Sequence, residues 1–179
     1  MKKGVVGLLL FSVICIASCK KTTVTPSIYQ QFTADSLKIV NYLHAANINA
    51  TRHDSVWYVL KETGTGALPT RFNCVLIKYS GYELSQFLTE GVTPTAFQVN
   101  NDGLKGPLKG LIGGMQIALK RFPAGSKGTV YIPSYLAYGT GGKTDNSGKY
   151  VVHRNQCLVF DIELVKLFDY NVEGNYCYE

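Results

Sequence analysis

From Ser55 onward the chain is a series of short β-rich runs, and this pattern limits the fold more than any other feature. The runs read SVWYVLKETGTG, FNCVLIKYSGYEL, KGTVYIPS and QCLVFDIELVKLF, and Gly and Pro residues separate them. Short runs rich in β-branched and aromatic residues, bounded by turn-forming residues, are typical of strands with tight connections. They predict a sheet and argue against an all-helical bundle.

One helical pattern interrupts the strands, in the segment LKGLIGGMQIALKRFPAG. Its apolar residues recur at three- and four-residue steps, and Pro123 and Gly125 mark its end. The stripe consists of Leu111, Ile112, Met115, Ala118, Leu119 and Phe122. The sequence thus predicts an α+β domain in which an antiparallel β-sheet wraps around one short α-helix. We place this domain at residues 55–168, followed by a C-terminal tail at 169–179.

A second helix is predicted in an N-terminal extension formed by residues 28–54. Apolar residues again recur at helical spacing between about 28 and 47. They are Phe32, Leu37, Val40, Leu43 and Ala46, with Ile39 beside them. The helix either packs against the domain, which we favour, or serves as a dimerisation arm, and the sequence leaves the oligomeric state unknown.

The first 18 residues have the pattern of an export signal. A basic start, MKK, precedes an apolar run of about 13 residues, which is too short to span a bilayer as a helix. The quartet Ile16-Ala17-Ser18-Cys19 resembles the bacterial lipobox. That resemblance implies a lipoprotein signal peptide at 1–18, lipidation of Cys19 and a lipidated tether at 19–27. It places the protein in the cell envelope, lipid-anchored and facing the periplasm, without resolving which membrane holds it.

The mature chain keeps three cysteines, Cys74, Cys157 and Cys177. Their spacing shows no CxxC or His/Cys pattern, so we expect no metal site. In an oxidising compartment two of them can form a disulfide. The sequence does not fix the pair. However, antiparallel pairing of the FNCVLIKYSG and LVFDIEL strands would bring Cys74 near the tail. We therefore favour Cys74 with Cys177, leaving Cys157 free.

The positive charge of the chain is scattered. The formal net charge is +6, but no run of Lys and Arg exceeds two residues. Nucleic-acid binding surfaces cluster their basic residues, so we do not expect a nucleic-acid partner. The Gly-rich segment 139–148 lacks the register of a phosphate-binding loop, which argues against a nucleotide cofactor.

Three strings, in order, resemble the FKBP-type peptidyl-prolyl cis-trans isomerases: VLIKYSG at 75–81, VYIPSYLAYG at 130–139 and LVFDIEL at 158–164. The intervening GLIGGMQIALKRFPAG resembles the helix of that family, so the resemblance covers roughly residues 55–167. The preceding segment resembles the extension of lipoprotein members from Bacteroidetes-like bacteria. The resemblance implies an isomerase that assists folding of exported proteins, binds proline-containing or unfolded segments and needs no cofactor.

The resemblance also implies the residues of an active site. Tyr138, in the LAYG motif, would donate a hydrogen bond to the substrate carbonyl, and Ile112 would form the floor of the pocket. The aromatic walls would be Tyr79, Phe97 and Phe160, completing the catalytic set. The residues Leu111, Met115, Val152 and Phe87 would contact the substrate, and the loop at 139–148 would form the rim.

The chain departs from the family pattern at several positions. The family has an Asp after the aromatic that follows YSG, but here Phe87 precedes Leu88, and the nearest carboxylates are Glu83 and Glu90. Met115 replaces the usual tryptophan, and an apparent insertion, VNNDGLKGPLKG, precedes the helix. Because the acid is missing, a second function stays open. It is an FKBP-like peptide-binding, chaperone or envelope interaction lipoprotein with little or no isomerase activity.

Overall fold

The structure is a computed structural model that describes residues 27–178. The predicted signal peptide, Cys19 and the tether up to residue 26 lie outside the described residues. The helices are α1 (Ile28–Ala45) and α2 (Gly113–Leu119). The strands are β1 (Thr51–His53), β2 (Val56–Glu62), β3 (Asn73–Glu83), β4 (Gln98–Pro107), β5 (Lys127–Ile132), β6 (Lys143–Thr144), β7 (Tyr150–Val152), β8 (Leu158–Asn171) and β9 (Tyr176–Tyr178).

The main sheet is antiparallel, in the order β1-β2-β5-β8-β3-β4, with β9 added at the end of β8. Its longest pairing joins β3 and β8, from Asn73 opposite Asp169 to Glu83 opposite Leu158. The strands β6 and β7 form a separate hairpin. The four predicted strands correspond to β2, β3, β5 and β8, so the α+β prediction is confirmed.

Each face of the sheet carries its own apolar core, because neighbouring strand residues point to opposite faces. Phe160 belongs to the core under α2, together with Met115, while its neighbour Val159 belongs to a second core. In that second core, Ile39 and Leu43 of α1 pack against the sheet. The N-terminal helix therefore packs on the domain, as we favoured.

The prediction of which residues form the buried face of α1 is partly wrong. Its buried residues are Asp35, Ile39 and Leu43, whereas Leu37 is 59% exposed and Val40 is 44% exposed. The reason is that a polar residue, Asp35, is fully buried. Its carboxyl group accepts hydrogen bonds from the domain, so α1 turns this face toward the sheet.

Two predictions of local structure are also corrected. The helix α2 is shorter than its apolar stripe, because Ile112 is extended at the N-cap and Phe122 lies beyond the last turn. The apparent insertion is strand β4, which pairs with β3 and places Leu104 opposite Ile77. Strand pairing, and not an alternating apolar pattern, determines its conformation.

The C-terminal segment is a β-hairpin. Strand β8 continues past residue 168 to Asn171, and β9 returns along it, with Cys177 opposite Tyr170. A disulfide joins Cys74 to Cys177 across a Cα–Cα distance of 5.7 Å. Cys157 is free and buried. The predicted pairing is thus confirmed, because antiparallel β3 and β8 bring the two cysteines together.

Candidate active site

A cavity of about 180 Å³ opens between the start of α2, strands β3 and β4, and the segment that precedes β7. Its lining residues are Ile77, Tyr79, Gln98, Leu104, Gly110, Leu111, Ile112, Met115, Tyr138, Lys143 and Phe160. Six residues of the predicted site lie here: Tyr138, Phe160, Ile112, Tyr79, Leu111 and Met115. Most of the wall is apolar, as is usual for sites that enclose a small ligand group.

The floor of the cavity is formed by Ile112 and Met115 at the start of α2. The helix can approach β5 closely because residue 114 is a glycine, whose added Cβ would lie 2.2 Å from Ile132. Met115 is only 3% exposed. Its flexible thioether fills irregular apolar space, so the floor is both closed and adaptable.

The aromatic wall is centred on Phe160. Its ring lies edge-on to Tyr79 and to Phe97, with centroid distances of 5.8 Å in both pairs. Gly81 makes this arrangement possible, because a Cβ there would lie 2.7 Å from both phenyl rings. Phe97 does not line the cavity itself but packs edge-on against Phe160, so its predicted place as a wall is corrected.

Tyr138 follows a short 3-10 turn, Ser134–Leu136, that closes on itself. The amide groups of Ala137 and Gly139 both donate to the carbonyl of Ser134, at 3.0 and 2.8 Å. The turn is held by α1, because Asp35 Oδ2 accepts hydrogen bonds from the amide and the hydroxyl of Ser134. The N-terminal helix therefore supports the turn that presents Tyr138.

Tyr138 and Tyr79 both line the cavity. Burial raises the pKa of Tyr138 above its ordinary value. Burial also raises the pKa of Tyr79, and the electrostatic influence of Tyr138 adds to this effect. Both hydroxyls therefore remain protonated and able to donate hydrogen bonds at neutral and moderately alkaline pH.

Sequence reasoning missed the polar edge of the cavity. Lys143 Nζ donates to Gln98 Oε1 at 3.1 Å and lies 5.5 Å from the centroid of the Tyr138 ring. Lys143 opens β6 within the Gly-rich segment 139–148 that was predicted to form the rim, and it is the residue of that segment that lines the cavity. No periodic pattern marks a lysine in such a loop. Ile77, by contrast, shares the two-residue period of Tyr79 and was a detectable signal.

Two predicted substrate contacts lie elsewhere. Phe87 belongs to the core under α1, with its ring edge-on to Tyr42 and Tyr82 at 5.8 and 5.7 Å. It lies there because the segment after β3 forms a 3-10 helix, Leu84–Leu88, that packs toward α1. Val152 is 1% exposed and belongs to the core under α2 without lining the cavity. Leu88 is 52% exposed and also lies away from the cavity.

The carboxylate nearest to the missing acid has a different role. Glu83 is 8% exposed, and its Oε1 accepts a hydrogen bond of 2.6 Å from the amide of His153. The imidazole Nδ1 of His153 lies 2.9 Å from the same oxygen. Glu83 thus holds the segment that leads into β8, and it does not line the cavity.

These features can be compared with known proteins. The sequence model of the FKBP-type peptidyl-prolyl cis-trans isomerase family matches residues 69–165, which include β3, α2, Tyr138 and Phe160. The chain belongs to this family. The match excludes α1 and most of the C-terminal hairpin.

Two curated relatives of this FKBP-type chain are named as FKBP-type isomerases. It is 31% identical over 117 residues to the probable isomerase FkpA of Neisseria meningitidis, covering 65% of this chain and 39% of the relative. It is 29% identical over 142 residues to the 22 kDa FKBP-type isomerase of Escherichia coli, covering 77% of this chain and 64% of the relative. The chain thus spans less than two thirds of the length of either relative.

A solved structure shares the fold of this FKBP-type chain. A peptidyl-prolyl cis-trans isomerase from Pseudomonas syringae superposes with a TM-score of 0.62 at 23% sequence identity. The superposition covers 80% of this chain and 98% of the other. At this identity the likeness establishes the fold alone.

Proposed function

We propose that the chain catalyses cis-trans isomerisation of X-Pro peptide bonds and so assists folding of exported proteins. The observation that carries this proposal is the cavity itself. It combines an apolar floor at Ile112 and Met115 with the hydroxyl of Tyr138, within a member of the FKBP-type family.

The chemistry requires no nucleophile. The barrier to rotation about a peptide bond is about 18–20 kcal/mol, and it arises from amide resonance. At the twisted transition state this resonance is lost, and the amide is less polar than in either planar state. An apolar cavity that excludes water from the amide therefore favours the twisted form over both planar forms.

Five of the lining residues have a role in this scheme. Phe160 and Tyr79 enclose the proline ring against Ile112 and Met115, and this binding orients the amide. The hydroxyl of Tyr138 donates a hydrogen bond to the substrate carbonyl. Because burial raises the pKa of Tyr138, this donor remains protonated over the physiological range.

We further propose that the protein acts in the cell envelope, anchored through lipid on Cys19 and facing the periplasm. Several acyl chains on one residue bury enough methylene groups for stable anchoring. The Cys74–Cys177 disulfide supports an oxidising compartment. A relative from Legionella longbeachae, 29% identical over 114 residues, is named outer membrane protein MIP. Within residues 27–178, no helix has the length and hydropathy needed to cross a bilayer.

Lipid anchoring predicts a specific effect of Cys19→Ala. The variant should lack the lipid and move from the membrane fraction to the soluble fraction, because no acyl chains then hold it. The measurement is membrane fractionation combined with mass spectrometry of the N-terminal peptide. Unchanged fractionation and an unchanged N-terminal mass would refute the anchor.

A second candidate function is a peptide-binding module with little or no turnover. The cavity favours this candidate in one respect, because no carboxylate of residues 27–178 lines it and a lysine lies at its edge. A refolding assay limited by proline isomerisation distinguishes the two. If the chain accelerates refolding, and an FKBP-type inhibitor abolishes this acceleration in a saturable manner, the chain is an isomerase. If the chain binds the substrate without accelerating refolding, it is a binding module.

A further inference from the structure

The ammonium group of Lys143 has no role in the proposed reaction. It lies at the cavity edge, 3.1 Å from the side-chain oxygen of Gln98 and 5.5 Å from the centre of the Tyr138 ring. This ammonium is held in place because it donates a hydrogen bond to the neutral side-chain amide oxygen of Gln98. A neutral acceptor orients the charge but does not neutralise it.

No carboxylate of the described residues compensates this charge. No ion pair joins Lys143 to Asp or Glu within residues 27–178, and no acidic residue lines the cavity. Asp145, two residues away, accepts hydrogen bonds from the amides of Ser147 and Lys149 within its own turn. Glu83 is engaged by His153. The counter-charge for Lys143 must therefore come from solvent or from a bound ligand.

We propose that Lys143 selects substrates that carry an acidic side chain next to the proline. This inference rests on the proposed function, because it assumes that the cavity binds a prolyl segment. A proline ring on the floor at Ile112 brings the flanking residues of the substrate to the edge where Lys143 lies. The adjoining apolar surface reduces the local dielectric, so an ion pair formed there is stronger than one in open water. Electrostatic complementarity of this kind contributes chiefly to specificity.

The test compares matched prolyl peptides that differ only in Glu or Gln, placed before the proline in one series and after it in another. The readout is the Glu/Gln ratio of kcat/KM for the mature chain in mild detergent. We expect a ratio of about three to five in at least one series, the effect of a partly exposed ion pair. The ratio should decrease toward one as salt is added.

Substitutions of Lys143 test whether this residue causes the preference for Glu peptides over Gln peptides. Lys143→Met removes the charge but keeps an unbranched side chain, and it should lower the ratio to about one. Lys143→Arg retains the charge and should retain the preference. Lys120→Met is the matched control, because Lys120 is exposed at the far end of α2 and its loss changes the net charge equally. It should leave the ratio unchanged.

The outcomes separate this inference from the proposed function. Turnover of the Gln peptides with a ratio of one in both series overturns the role of Lys143 but keeps the isomerase. A ratio that persists in Lys143→Met also overturns it. If no peptide is turned over, the proposed function fails. The inference is then decided by NMR titration, where tighter binding of Glu peptides that depends on Lys143 supports it and equal binding refutes it.

Discussion

Among changes of a single atom, removal of the Tyr138 hydroxyl oxygen should affect the proposed reaction most. Tyr138 lies in the cavity with the floor residues Ile112 and Met115, and a turn held by α1 fixes its position. Burial raises its pKa, so the hydroxyl donates a hydrogen bond and is not ionised at neutral pH. The contribution of this one hydrogen bond can be measured by removing the oxygen.

We expect Tyr138→Phe to lower kcat/KM for a prolyl peptide roughly fivefold while leaving the fold intact. The reason is that one neutral hydrogen bond contributes about 1 kcal/mol. Tyr135→Phe is the matched control, because Tyr135 lies in the same turn but outside the cavity. Equal kcat/KM values for Tyr138→Phe and the parent would contradict the assigned hydrogen bond.

Cys157 gives a prediction about pH. Burial, with a smaller electrostatic influence of Asp35, raises the pKa of its thiol to about 12. The thiol should therefore resist iodoacetamide at pH 8 in the folded chain and react once the chain is unfolded in urea, as mass spectrometry would show. The pKa of the Cys157 thiol is higher in the folded chain than in the unfolded chain. The contribution of this thiol to the stability of the fold is therefore complete below about pH 9 and is lost as the pH rises toward 12. Rapid alkylation of the folded chain at pH 8 would contradict this account.

At the scale of elements, the junction between α1 and the Ser134–Leu136 turn connects the N-terminal extension to the site. Asp35 is fully buried, and its two oxygens accept hydrogen bonds from Gln31, from the amide of Ser134 and from its hydroxyl. Phe32 adds an edge-on contact with Tyr135, at a centroid distance of 5.3 Å. The extension is thus part of the support for Tyr138.

Asp35→Ala should lower the free energy of unfolding by about 1–3 kcal/mol, because it leaves the buried amide of Ser134 without an acceptor. It should also lower kcat/KM, since the turn before Tyr138 loses its anchor. Urea denaturation and peptide kinetics measure the two effects.

The adjacent Ser36→Ala is the control. The buried hydroxyl of Ser36 has no hydrogen-bond partner among the described residues, so its removal should not destabilise the protein. Equal stability of the two variants would refute the role of Asp35.

At the scale of the whole molecule, strand runs and motif order predicted the fold well. The four long runs became β2, β3, β5 and β8, and their antiparallel pairing correctly joined Cys74 to Cys177. The resemblance to the FKBP-type family placed Leu111, Ile112 and Met115 at one pocket, and all three line the cavity. These features were predictable because local sequence patterns and the family motifs encode them directly.

Other parts of the molecule depend on long-range contacts that no local pattern reports. Strand β4 is rich in Gly, Asn and Asp, and it is ordered by pairing with β3. Asp35 is a polar residue on the buried face of α1, which makes the amphipathic pattern misleading. Phe87 followed the expected motif spacing, but a 3-10 helix carried it to the opposite core. Lys143 reaches the cavity from a loop.

The central claim is that the cavity floored by Ile112 is an isomerase site, and the most direct test is the kcat/KM of Ile112→Asp on a prolyl peptide. An unpaired charge on the floor opposes desolvation of the twisted amide. We therefore predict that kcat/KM falls by more than about tenfold in a variant that still folds. Val99→Asp is the control, because Val99 is 54% exposed on β4 and does not line the cavity. We predict that Val99→Asp retains the parental kcat/KM. A folded Ile112→Asp variant that isomerises the peptide as fast as the parent would contradict the claim.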